Sequence, residues 1–68
     1  MDRLLFLERF LMENTDEDIT VSTKDILDAY EAHNCPVNRN IVPADIEKLR
    51  QAGVEVTIEK EGNTKRYH

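Results

Sequence analysis

Arg39 stands between Asn38 and Asn40, just ahead of a stretch with helical apolar spacing. Its guanidinium is a rigid fork of five donors, and two of them match the two acceptors on a guanine edge. Such a bidentate contact discriminates by about 1–3 kcal/mol. Asn38 and Asn40 can read adenine or bind phosphate, and Asn40 equally suits a helix N-cap. Lys48 lies further along the same stretch, where it reaches phosphate or is simply solvated. A second cluster surrounds a turn: Lys60, Lys65 and Arg66, with Asn63 and Thr64 at the tip. Strand alternation sets Arg66 and Tyr67 on opposite faces, so Arg66 is expected to point outward. The same three cations also serve as charged protection of a strand edge. A third group, Ser22, Thr23 and Lys24, opens a helix whose first amides can hold a phosphate. Plain capping accounts for Ser22 and Thr23 equally well.

Other reactive side chains point nowhere in particular. His33 falls in the last turn of a helix, where a cation complements the helix dipole, and no second ligand stands at four residues either way. Cys35 is a small residue in a turn with no activating neighbour. Asn14-Thr15-Asp16-Glu17-Asp18 lacks the alternating acids, central glycine and terminal glutamate of a calcium loop, and reads as solvated. Paired carboxylates on one face, a nucleophile elbow and a glycine-rich loop are missing, so an enzyme is not expected, nor is a cofactor or a metal.

The elements that position these residues follow from periodicity. From Asp2 to about Glu13, Leu4, Leu7 and Leu11 form one helical stripe, with Phe6 and Phe10 beside it. Leu5 and Met12 lie on another face, past Glu8. They are either two ordinary exposed apolar residues or a face that docks on a partner subunit or a further domain. Ile19-Thr20-Val21 is β-prone. A second helix runs from about Thr23 to His33, with Ile26, Leu27 and Tyr30 inward, and Ser22 with Asp25 imitates a capping box. Val42, Ile46 and Leu49 define a third helix, stopped by Gly53 in a left-handed cap. Pro43 inside that helix would cost about 3 kcal/mol, so regular helix is expected from between Ile41 and Pro43, after a looser turn. Val54–Glu59 alternates strictly, as a half-buried strand does. Glu61-Gly62-Asn63 is a turn, and Thr64–His68 a returning strand with Tyr67 inward. Each side of this hairpin is expected to hold about five to seven residues.

Sixty-eight residues make one domain, 1–68, with a modest core and no room for an enclosed cleft. Two glycines, two prolines and 40% apolar residues suit an ordered fold. A lone cysteine offers no internal disulfide, and the short apolar run before Glu8 is neither a signal peptide nor a membrane span. A cytoplasmic location is the expectation. The net charge of −5 is unevenly spread: residues 1–33 carry nine acids and three bases, residues 34–68 five acids and six bases. Any surface for a polyanion therefore belongs to the second half.

Helix, short strand, helix, tight turn, helix, hairpin is the order of a winged helix-turn-helix, an α+β fold that is mainly α, with three helices and a C-terminal hairpin wing. Asp45-Ile46-Glu47-Lys48-Leu49-Arg50-Gln51-Ala52-Gly53, preceded by Asn38-Arg39, resembles the recognition-helix stretch of bacterial transcriptional regulators that carry a C-terminal WYL domain. Gly62-Asn63-Thr64-Lys65-Arg66-Tyr67 is similar to their basic, tyrosine-containing wing. Pro43 and Ala44 depart from the pattern, which often has an aromatic or polar residue and then a base. The resemblance spans essentially the whole chain. It implies a DNA-reading module at the N-terminus of a longer regulator, whose downstream domain would sense any effector.

These readings converge on binding of double-stranded DNA, with the third helix in the major groove and the wing on the flanking backbone or minor groove. One copy offers about five or six phosphate contacts, too few for tight binding, so a homodimer of the full-length regulator is expected. The rival reading is a winged helix for protein–protein interaction, suited to the acidity, to Pro43 and to the Leu5–Met12 face. A neutral surface on the third helix would favour it.

Overall fold

The computed structural model describes residues 2–68. Asp2 caps the first helix, α1 (Arg3–Asn14), its carboxylate accepting from the Leu4 and Leu5 amides at 3.1 Å each. Leu7 and Leu11 are buried on its inner stripe, and Leu4, Phe6 and Phe10 pack around them half-buried. Leu5 and Met12 remain exposed, at 55% and 75%. The acidic segment that follows folds on itself: the Asp16 carboxylate accepts from the amides of Asp18 (2.7 Å) and Ile19 (2.8 Å). Those two bonds hold the Asp16 carboxyl below its ordinary pKa. Among the described residues no group of three or more His, Cys, Asp or Glu could hold a metal ion.

The β-prone stretch is shorter in the sheet than expected. Only Val21–Ser22 forms β1, because pairing is limited to Val21 opposite Tyr67 and Ser22 opposite Arg66. Ser22 then caps α2 (Thr23–Ala32) in a complete capping box. Its hydroxyl takes the Asp25 amide at 3.2 Å, and the Asp25 carboxylate takes the Ser22 amide at 2.9 Å. Asp25 thus fills the role usual for glutamate. The helix ends in a Schellman motif, with Asn34 left-handed at φ 58°, Cys35 N–H on the Tyr30 carbonyl and Asn34 N–H on that of Glu31.

Helix α3 (Ile41–Gln51) begins inside the window that Pro43 dictates. Pro43 is its third residue, where a missing N–H breaks no intrahelical bond. The looser turn before it closes through Asn38, whose side chain accepts the Asn40 amide (3.2 Å) and whose carbonyl accepts that of Ile41 (2.9 Å). Asn40 occupies the N-cap position, but of the two roles open to its side chain it does not take the capping one: its backbone is already in the α region and it makes no capping bond. Gly53 (φ 95°) ends α3 in a second Schellman motif, with Val54 N–H on the Leu49 carbonyl.

The hairpin comprises β2 (Ile58–Glu61) and β3 (Thr64–Tyr67), and β3 lies between β1 and β2 in a three-stranded antiparallel sheet. Its strands are four residues each, shorter than expected. The alternating stretch from Val54 does bury Val56 and half-bury Val54, but it lies ahead of the ladder. Thr57 exchanges both backbone bonds with His68 (2.8 and 3.0 Å), so Val54–Val56 have no residue of β3 opposite them. The loop is two residues, Gly62-Asn63, with Gly62 at φ 61°, as the first position of a type II′ turn requires.

Ten apolar side chains from all three helices and the sheet make one core, with Ile26, Tyr30, Val42, Ile46 and Tyr67 at its centre. A charge is buried among them. Asp45 has no exposed surface. Its carboxylate takes two bonds from the Arg3 guanidinium (2.6 and 3.1 Å) and one from the Tyr30 hydroxyl (3.0 Å). The bond to Asp45 raises the Arg3 pKa further, and burial, then Asp45, raises that of the Tyr30 phenol. This network ties α1, α2 and α3 together. No helix among the described residues is long and apolar enough to cross a membrane.

Candidate nucleic-acid interface

The turn into α3 displays Asn38, Arg39 and Asn40 to solvent. Val37, half-buried against the core, anchors the turn from one side, and Ile41 and Val42 anchor it from the other. Arg39 forms no ion pair among the described residues, so its whole donor fork is available. Asn40, relieved of capping, keeps its amide for other partners, while the Asn38 oxygen is engaged within the turn. Beyond them α3 turns Pro43, Ala44, Glu47, Lys48 and Gln51 outward. Lys48 is unpaired among the described residues, whereas Glu47 meets Arg50 at 3.4 Å.

The hairpin sorts its cations by face. Directly opposed residues of a ladder share a face, and Lys60 lies opposite Lys65. Both are exposed, on the face that carries Tyr67 inward, at the end of the hairpin that reaches past the core. Two like charges set opposite each other destabilise a ladder. Asn63 and Thr64 are exposed at the tip. Arg66 is on the other face, as alternation requires, but it is not a free outward cation. It bonds back to Thr20, with Nε on the hydroxyl at 2.7 Å and Nη2 on the carbonyl at 3.4 Å, and it lies opposite Glu59.

No family model, curated protein or solved structure matches the chain.

The start of α2 departs most from expectation. Thr23 is buried, and its hydroxyl bonds that of Tyr67 at 3.1 Å, so it is a core residue and not a contact. Ser22 is committed to the capping box. The Asp25 carboxylate, bonded to the Ser22 amide, sets a negative charge at this helix start, and of Ser22, Thr23 and Lys24 only Lys24 is exposed. Asp45, in contrast, went unnoticed in the sequence. The signal was present: it stands at i+3 from Val42, on the same stripe as Ile46 and Leu49. With its charge buried and paired, residues 34–68 show four exposed acids against six bases, five of them exposed.

Proposed function

We propose that this chain is a duplex-DNA-binding winged-helix module of a bacterial, cytoplasmic transcriptional regulator of the kind that carries a WYL domain. In this reading α3 enters the major groove and the wing lies on flanking backbone or minor groove. The observation that carries it is Arg39, exposed and unpaired on the turn into α3, beside Asn40, whose side-chain amide makes no capping bond and suits a base edge. The opposed Lys60 and Lys65 support it, since a polyanion offsets the repulsion that the isolated hairpin carries.

The test is fluorescence anisotropy with a pool of short random duplexes across a salt series. With about five phosphate contacts, the logarithm of affinity falls against the logarithm of salt with a slope of about −4.5. Arg39→Ala weakens binding to a selected site by about 1–3 kcal/mol. Lys65→Glu acts in two opposed directions. It replaces a like-charge pair by an attractive one, which raises stability by about 0.2–1 kcal/mol in urea melts, and it weakens DNA binding with a shallower salt slope.

A second reading, docking on another protein through α3, draws on the outward Pro43 and Ala44 and on the internal Glu47–Arg50 pair. It predicts no salt-dependent binding to any duplex, by this chain or by a fused dimer of it.

A further inference from the structure

The outward face of α3 changes chemistry along its length. Pro43 follows Arg39 by four residues and Ala44 follows Asn40 by four, so each stands one turn beyond a side chain that the proposed function assigns to a base edge. The Asn40 backbone is already in the α region, so helical spacing holds from Asn40 to Ala44. Pro43 and Ala44 are the third and fourth residues of α3, and both are exposed. Glu47, Lys48 and Gln51 continue the face, also exposed.

This first turn suits the floor of a groove better than its walls. Phosphate is met by cations and hydrogen-bond donors. The side chains of Pro43 and Ala44 offer neither, and Pro43 lacks a backbone N–H as well. Glu47, the next exposed side chain of the face, carries a charge that phosphate repels, and its contact with Arg50 is 3.4 Å. In the major groove the apolar group that distinguishes one base from the others is the thymine 5-methyl, and small apolar side chains such as alanine are what meets it. The N-terminal residues of a recognition helix are the ones that reach base edges, which is where Pro43 and Ala44 stand.

We propose that Pro43 and Ala44 are specificity-determining residues that read thymine, packing on 5-methyl groups beside the base that Arg39 contacts. The inference rests on the duplex-DNA reading above and adds the ligand chemistry of this turn. Four residues of helix advance about 6 Å and one base pair takes about 3.4 Å, so the thymine lies within about two base pairs of the guanine. Two apolar side chains left in water on a polar helix face are then covered in the complex.

The test selects a site from a random duplex pool and then compares, by fluorescence anisotropy, that site made with thymine and with uracil, which lacks only the methyl group. The selected site carries thymine close to guanine. Uracil weakens binding by about fourfold for each methyl that the complex buries. The salt slope stays the same, because no phosphate contact is lost. Pro43→Ser together with Ala44→Ser removes the apolar surface at two exposed positions and leaves the core untouched. This double variant binds the uracil duplex as the unaltered chain does and no longer prefers thymine, a cycle that separates methyl packing from any change in the DNA itself. Equal affinity of the unaltered chain for the two duplexes overturns the proposal and leaves the DNA reading standing. A preference for thymine that survives in the double variant does the same. Absence of binding to any duplex, by the chain and by a fused dimer of it, overturns both.

Discussion

Replacing Asp45 by alanine is expected to cost about 3 kcal/mol, a large part of the several kcal/mol that stabilise a domain of this size. The carboxylate is the shared acceptor for Arg3 and for the buried Tyr30 hydroxyl. Its loss leaves the phenol without a partner in the core and the guanidinium, part-exposed, to return to water. Arg3→Ala, which strands the charge instead, is expected to cost at least as much. The midpoint of thermal unfolding falls by about 15 °C in either case. Removing all three polar groups together, by Arg3→Met, Tyr30→Phe and Asp45→Leu, recovers most of the loss, because no buried group then lacks a partner. Urea and thermal melts of the single and triple variants decide this. Recovery would show that the network is retained to fix how α1, α2 and α3 meet, more than for net stability. Raising the pH has a related effect. The Tyr30 pKa is raised on folding, so the stability it contributes is complete below the ordinary tyrosine pKa of about 10 and is lost as pH rises above it.

Tyr67→Ala is expected to cost about 3–5 kcal/mol and to free the wing. Tyr67 is fully buried, pairs with Val21 on one side and Ile58 on the other, and bonds Thr23 at the start of α2. It therefore anchors the hairpin both to β1 and to the helices. A two-stranded hairpin is marginal in water, so without this anchor the wing frays before the helices melt. Amide hydrogen exchange is expected to show loss of protection confined first to Ile58–Tyr67. Tyr67→Phe keeps the ring and removes only the hydroxyl bond, at about 1 kcal/mol. If Tyr67→Ala left exchange in the hairpin unchanged, the anchor would lie elsewhere.

What was legible in the sequence is what is decided within a few residues. The Ser22–Asp25 box, the Gly53 stop and the Pro43 limit on the start of α3 each rest on neighbouring backbone, and each is found where local chemistry puts it. The inward side of each helix and of Tyr67 followed from period alone. What escaped was settled between distant segments. Arg3 finds Asp45 across 42 residues, Thr23 finds Tyr67 across 44, and Arg66 finds Thr20 across 46. No spacing rule relates such pairs. Two of them withdraw side chains that looked available for contact, Thr23 and Arg66. Asn40 takes no capping role for a local reason that composition does not show, its α-region backbone. The strand expected from Val54 pairs only from Thr57 on, opposite His68, because alternation within one strand does not say where its partner lies.

The measurement that bears most directly on the proposed role is a map of amide chemical-shift changes as a duplex DNA pool is titrated into the labelled chain at low salt. Binding through α3 and the wing predicts changes concentrated at Asn38–Ala44, at Lys48 and at Lys60–Lys65, reversed by added salt, with the acidic surface of α1 and α2 unaffected. Changes confined to α1 or α2, or none in a chain shown to be dimeric, would contradict it.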